Sequence, residues 1–103
     1  FNQLDTPTLI IACENDNVAQ VNNHASPFYN AIPNSTDKAL LEINDGAHSC
    51  ANGGGTNGGL LGKYGVSWMK RFIDEDLRYD QFLCGPDHAA NSAVSEYRGT
   101  CNY

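Results

Sequence analysis

Basic residues are scarce in this chain: six Lys and Arg stand against twelve Asp and Glu among 103 residues, a formal charge of −6. A surface of that sign repels phosphate backbones and anionic bilayers, and the bases are scattered, so neither a nucleic acid nor a membrane is expected as a partner. Long apolar runs are also missing. No stretch approaches the roughly 18 to 20 apolar residues that cross a bilayer. Phe1-Asn2-Gln3 does not open a signal peptide, so the chain reads as soluble and already processed or truncated. The glycine-rich stretch 51–59 is not closed by Gly-Lys-Ser/Thr, which excludes a Walker-type phosphate loop and leaves a mobile rim leading into a helix. With no internal repeat and no linker-like composition shift, residues 1–103 read as part of one domain without an internal boundary.

Cysteine, by contrast, is plentiful. Four in so short a chain favour an oxidising compartment, and so a secreted protein, with a cytosolic metal site as the alternative. Three pairings are formally open. The layout favours Cys13 with Cys50 and Cys84 with Cys101, since the first two flank expected neighbouring strand ends and the others bracket the tail. In a loop-entropy picture such bridges stabilise by about 4 and about 3 kcal/mol.

Thr6 to Cys13 is a proline-started apolar run with almost no alternation, the pattern of a strand covered on both faces, and it is not expected at an open sheet edge. It calls for more helical cover than this chain comfortably supplies. Ala25, Phe28, Tyr29 and Ile32 recur at helical spacing within 22–32, and Lys38 to Ile43 forms a second strand, so the helix makes a crossover between the two. Leu60 to Asp74 carries the strongest helical pattern, with Leu61, Tyr64, Trp68, Met69, Phe72 and Ile73 along one face. Residues 77–83 add a further helical turn or two that Gly85-Pro86 stops, and Val94 to Arg98 alternates like a half-exposed strand. The class is α/β.

Two stretches concentrate the chemistry, Ala12-Cys13-Glu14-Asn15-Asp16 and Gly46-Ala47-His48-Ser49-Cys50, each just past the carboxyl end of a strand. In parallel sheets joined by right-handed crossovers those ends lie side by side, where open α/β folds place their ligands. Asp16 can therefore meet His48. A carboxylate that fixes a histidine tautomer is the acid–base half of a serine hydrolase triad, and acid before histidine is the α/β-hydrolase order. His24 and His88 have no such support. Cys13, Asp16, His48 and Cys50 could instead hold zinc, and a disulfide-stapled binding module without catalysis is another alternative.

At these residues the sequence resembles the C-terminal part of the bacterial cutinase-like polyester hydrolases, in particular the poly(ethylene terephthalate) hydrolase branch. The resemblance is carried by Pro7 through Asp16, by Ala47-His48-Ser49-Cys50-Ala51-Asn52 and by Gly65-Val66-Ser67-Trp68-Met69-Lys70-Arg71-Phe72. It implies the C-terminal portion of an α/β-hydrolase fold, a mostly parallel sheet with helices on both faces. Asp16 becomes the triad acid and His48 the base. Cys13–Cys50 becomes a disulfide beside the active site and Cys84–Cys101 a tail disulfide. Val18, Ser49, Asn52 and His24 fall at substrate-cleft positions, with Ser49 leaving a wider cleft than a bulky aromatic would. Asn44 and Ser95 stand where some relatives hold a cation with carboxylates, so no metal and no cofactor is expected. The Gly-x-Ser-x-Gly nucleophile would come from an upstream segment of the same enzyme. The chain alone is then expected to be inactive, and the complete enzyme to hydrolyse polyesters.

Overall fold

The computed structural model describes residues 1–52 and 57–103. The glycine-rich rim expected over 51–59 falls in part, at 53–56, outside the described residues. Three strands, β1 (Thr8–Cys13), β2 (Lys38–Ile43) and β3 (Val94–Gly99), form one sheet in the order β1-β2-β3. Helix α1 (Ala25–Ala31) joins β1 to β2, and α2 (Gly58–Phe72) follows β2. A 3₁₀ turn at Leu77–Tyr79 then leads into α3 (Asp80–Leu83) and α4 (Pro86–Ala89) before β3.

β2 is the centre of the structure. Ala39, Leu40, Leu41 and Ile43 have no exposed surface, and each leucine buried in this way contributes about 1.5–3 kcal/mol. Its side chains alternate as a pleated strand requires. Ala39 and Leu41 pack with Tyr64 and Trp68 of α2 and Leu83 of α3. Leu40 faces the other way, onto Ala12, Val21 and Ala25. Lys38 is buried as well, and its ammonium donates to the carbonyls of Ile32 (2.5 Å) and Tyr29 (3.0 Å). A cation thus satisfies carbonyls left without partners at the end of α1.

β1 and β2 run parallel, with Thr8 opposite Lys38 and Cys13 opposite Ile43. The two strands therefore end level. β1 has helices on both faces, since Leu9 and Ile11 pack on the α2 side and Ile10 on the α1 side. Its outer edge, however, pairs with nothing among the described residues. The expectation that this strand avoids an open edge does not hold within this chain. Apolar faces call for cover above and below, which α1 and α2 provide, but they do not themselves supply an edge partner.

β3 pairs antiparallel to β2, with Ala39 opposite Gly99 and Ile43 opposite Val94, so the sheet is mixed. Helix α1 starts at Ala25, later than its apolar spacing suggests, because Val21 to His24 form a turn. Gly85-Pro86 does end α3, as expected, but Pro86 also opens α4, where a proline at the first helical position forgoes no hydrogen bond. The cysteines pair Cys13–Cys50 and Cys84–Cys101. Among the described residues, no helix is long and apolar enough to cross a membrane.

Candidate active site

The level ends of β1 and β2 set two turns against each other. After β1, the Glu14 N–H donates to the Ile43 carbonyl (3.1 Å) and the Asn15 N–H to the Gly46 carbonyl (2.8 Å). The chain then turns at Asp16, whose Oδ1 accepts the N–H groups of Val18 (2.8 Å) and Ala19 (2.7 Å). This is an Asx turn, and it pins the carboxylate to its own backbone. After β2, the Cys50 N–H donates to the Ala47 carbonyl (2.8 Å), which closes a second turn around His48. The Cys13–Cys50 disulfide staples the two turns together, with Cα atoms 5.9 Å apart. Gly46 fits beneath it because it has no side chain. A Cβ there would lie 2.8 Å from Cys50 Cβ and 3.2 Å from the Ile43 carbonyl oxygen.

This scaffold places His48 Nδ1 2.9 Å from both Asp16 oxygens. An ionised carboxylate only accepts, so Nδ1 is the protonated nitrogen and Nε2 is left as the basic one. The Asp16 side chain is 8% exposed and that of His48 54% exposed. Burial pushes the Asp16 pKa upward. The hydrogen bond from His48, those from the Ala19 and Val18 amides and the imidazolium charge outweigh it, and the carboxyl titrates below its ordinary value. The acid therefore stays ionised while the imidazole, open to solvent, can exchange protons.

Asp16, His48 and His24 share an open concavity of about 250 Å³, whose floor is Ile10, Ala12 and Phe28. The sequence pattern placed Phe28 on the helix's apolar face without identifying it as a cleft residue. It is 41% exposed. The structure brings Asp16, His48 and His24 together, whereas Val18, Ser49 and Asn52 are exposed residues outside this concavity. Sequence reasoning also missed the Val18 and Ala19 amides, although an Asp followed by turn formers signals such a motif.

The metal alternative requires correction. Cys13 and Cys50 are bonded to each other, which removes both thiolates from the proposed Cys-Asp-His-Cys ligand set. Asn44 and Ser95 make other contacts: Asn44 Nδ2 donates to the Ser92 carbonyl (3.2 Å) and Ser95 Oγ to Glu42 Oε1 (2.7 Å).

Parallel strands joined through a helix, with an aspartate and a histidine in hydrogen-bond contact just past their carboxyl ends, define an α/β arrangement with its ligand-binding edge at those ends. The chain belongs to the PET hydrolase-like family, whose profile matches residues 1–102. It is 48% identical to cutinase est1 of Thermobifida alba over 104 aligned positions, which cover all of this chain and 34% of that protein. Its identity to a bis(hydroxyethyl) terephthalate hydrolase of Streptomyces coelicolor is 46%, covering 96% of this chain and 31% of the relative. Cutinase 1 of Thermobifida cellulosilytica is 44% identical, with coverages of 100% and 38%. The chain thus spans about a third of the length of the curated relatives it matches.

Proposed function

We propose that this chain is the C-terminal part of a secreted serine hydrolase of polyesters, in which Asp16 is the acid and His48 the base of a Ser-His-Asp triad. The observation that carries the reading is the contact of His48 Nδ1 with both carboxylate oxygens of Asp16 at 2.9 Å. In such a site Nε2 takes the proton of an attacking serine and returns it to the leaving alcohol, while the carboxylate stabilises the imidazolium formed between the two steps. The substrate class follows from relatives named as cutinases and as a terephthalate ester hydrolase. An apolar floor of Ile10, Ala12 and Phe28 beside the pair suits an aliphatic or aromatic acyl unit. The two disulfides accord with secretion.

The nucleophile and the oxyanion hole belong to a segment outside these 103 residues. No Gly-x-Ser-x-Gly occurs in the chain, and among the described residues His48 has no hydrogen-bonded serine. The unpaired outer edge of β1 supports a continuation of the sheet on that side. So do Val66 and Met69 of α2 and Ile73 just after it, which are 54%, 58% and 70% exposed and line a groove of about 440 Å³.

The purified 103-residue chain is expected to leave a short p-nitrophenyl ester intact, because a His–Asp pair without nucleophile and oxyanion donors lacks the main catalytic terms. The full-length protein is expected to hydrolyse the ester and to lose that activity to a serine-directed inhibitor. Turnover by the chain alone that such an inhibitor leaves untouched would overturn the reading.

A further inference from the structure

Besides the disulfide and the backbone bonds from Glu14 and Asn15, side chains also join the Asp16 and His48 turns. Asn15 Nδ2 donates to Asp45 Oδ1 at 2.6 Å, and the Asp45 N–H donates to Glu14 Oε2 at 2.7 Å. Asp45 has φ 56°, in the left-handed region that Asp tolerates better than most side chains, and this bend accompanies both contacts. The tethers bracket the pair in sequence: Asp16 lies beyond Cys13 and next to Asn15, and His48 lies between Asp45 and Cys50.

We propose that Asn15 and Asp45 are positioning residues, a polar clamp that holds the Asp16 turn against the His48 turn in parallel with the Cys13–Cys50 disulfide. The inference rests on the hydrolase reading above for its kinetic consequence, though not for its geometry. Neither residue touches the reacting atoms. Both act by keeping the Nδ1–carboxylate contact short while the imidazole gains and loses its proton, and small misplacements at such a contact reduce turnover disproportionately. Because the clamp and the disulfide restrain the same two turns, each should hide the loss of the other.

The test uses the full-length protein and a soluble short ester. Asp45→Gly deletes the carboxylate while suiting the left-handed backbone. It is expected to lower kcat about 3-fold with KM unchanged when the disulfide is intact, and about 30-fold in a Cys13→Ser/Cys50→Ser background. The exchange of partners gives a second measure. Asn15→Asp alone sets two carboxylates against each other and lowers kcat, and adding Asp45→Asn, which restores a donor and an acceptor, should recover it. An equal kcat factor for Asp45→Gly in both backgrounds, or an exchange that fails to recover kcat, overturns the clamp. If the Cys13→Ser/Cys50→Ser protein does not fold, the exchange decides alone.

The His48 Nδ1–H resonance keeps the two readings apart. A clamp without hydrolase chemistry would still shift that resonance in Asp45→Gly, with no esterase activity in any variant. An unshifted resonance in an enzyme that loses activity on His48→Ala would instead sink the clamp and leave the hydrolase reading standing.

Discussion

Asp16 shows how one residue can both form a turn and hold a histidine. Its Oδ1 accepts two backbone amides while the same carboxylate receives His48 Nδ1, so the Asx turn orients the group that the imidazole needs. The sequence made the meeting of Asp16 and His48 legible, because both follow apolar strands directly. Phe28, Asn15 and Asp45 were less legible. Their roles depend on which turns face each other in space, and no spacing rule encodes that. The pH consequence of the Asp16 environment has a definite sign. Its folded pKa lies below the ordinary 3.8, so the carboxylate contributes stability that is fully present well above pH 3.8 and is lost as pH falls through the folded value. Asp76, held down to about 2 chiefly by its hydrogen bond from Arg78, adds to the same acid limb. Comparison of the full-length protein with its Asp16→Asn variant separates the two. The difference in melting temperature should shrink as pH falls below 3.8. A difference that stays unchanged across the acid range would contradict the depressed pKa.

At the scale of the elements, the parallel β1–α1–β2 unit positions the site, and its level strand ends bring the two turns together. Both strands and α2 were readable because their signals are local: unbroken apolar runs, and Tyr64 and Trp68 at a spacing of four that buries one helical face. The antiparallel pairing of β3 was not readable, since alternation along Val94 to Arg98 reports which side chains are covered and not which way the neighbouring strand runs. The short α4 was missed because Gly85-Pro86 signals a stop and a start with the same residues. Gly46 links element to site. Placing a methyl 2.8 Å from Cys50 Cβ forces the turn or the disulfide to move. Gly46→Ala should therefore destabilise the full-length protein by about 1–3 kcal/mol in urea denaturation, with a fall in kcat because the His48 turn moves too. Unchanged stability and turnover would show that the turn has room that the geometry denies it.

At the scale of the whole molecule, the chain has a sealed centre and exposed apolar margins. β2 is sealed on both faces, yet among the described residues β1 has an open edge, and α2 carries apolar residues into solvent. The chain covers about a third of its relatives' length, and on the reading proposed above these margins are where the rest of a larger α/β domain would pack. The most direct measurement of the central claim is kcat/KM of the full-length protein on a soluble short ester, with folding of each variant checked by circular dichroism. His48→Ala should nearly abolish turnover. Asp16→Asn, which keeps the shape but favours the wrong tautomer, should lower kcat by a factor on the order of 10⁴, as in the serine protease precedent. Near-normal turnover by a folded His48→Ala variant would contradict the account.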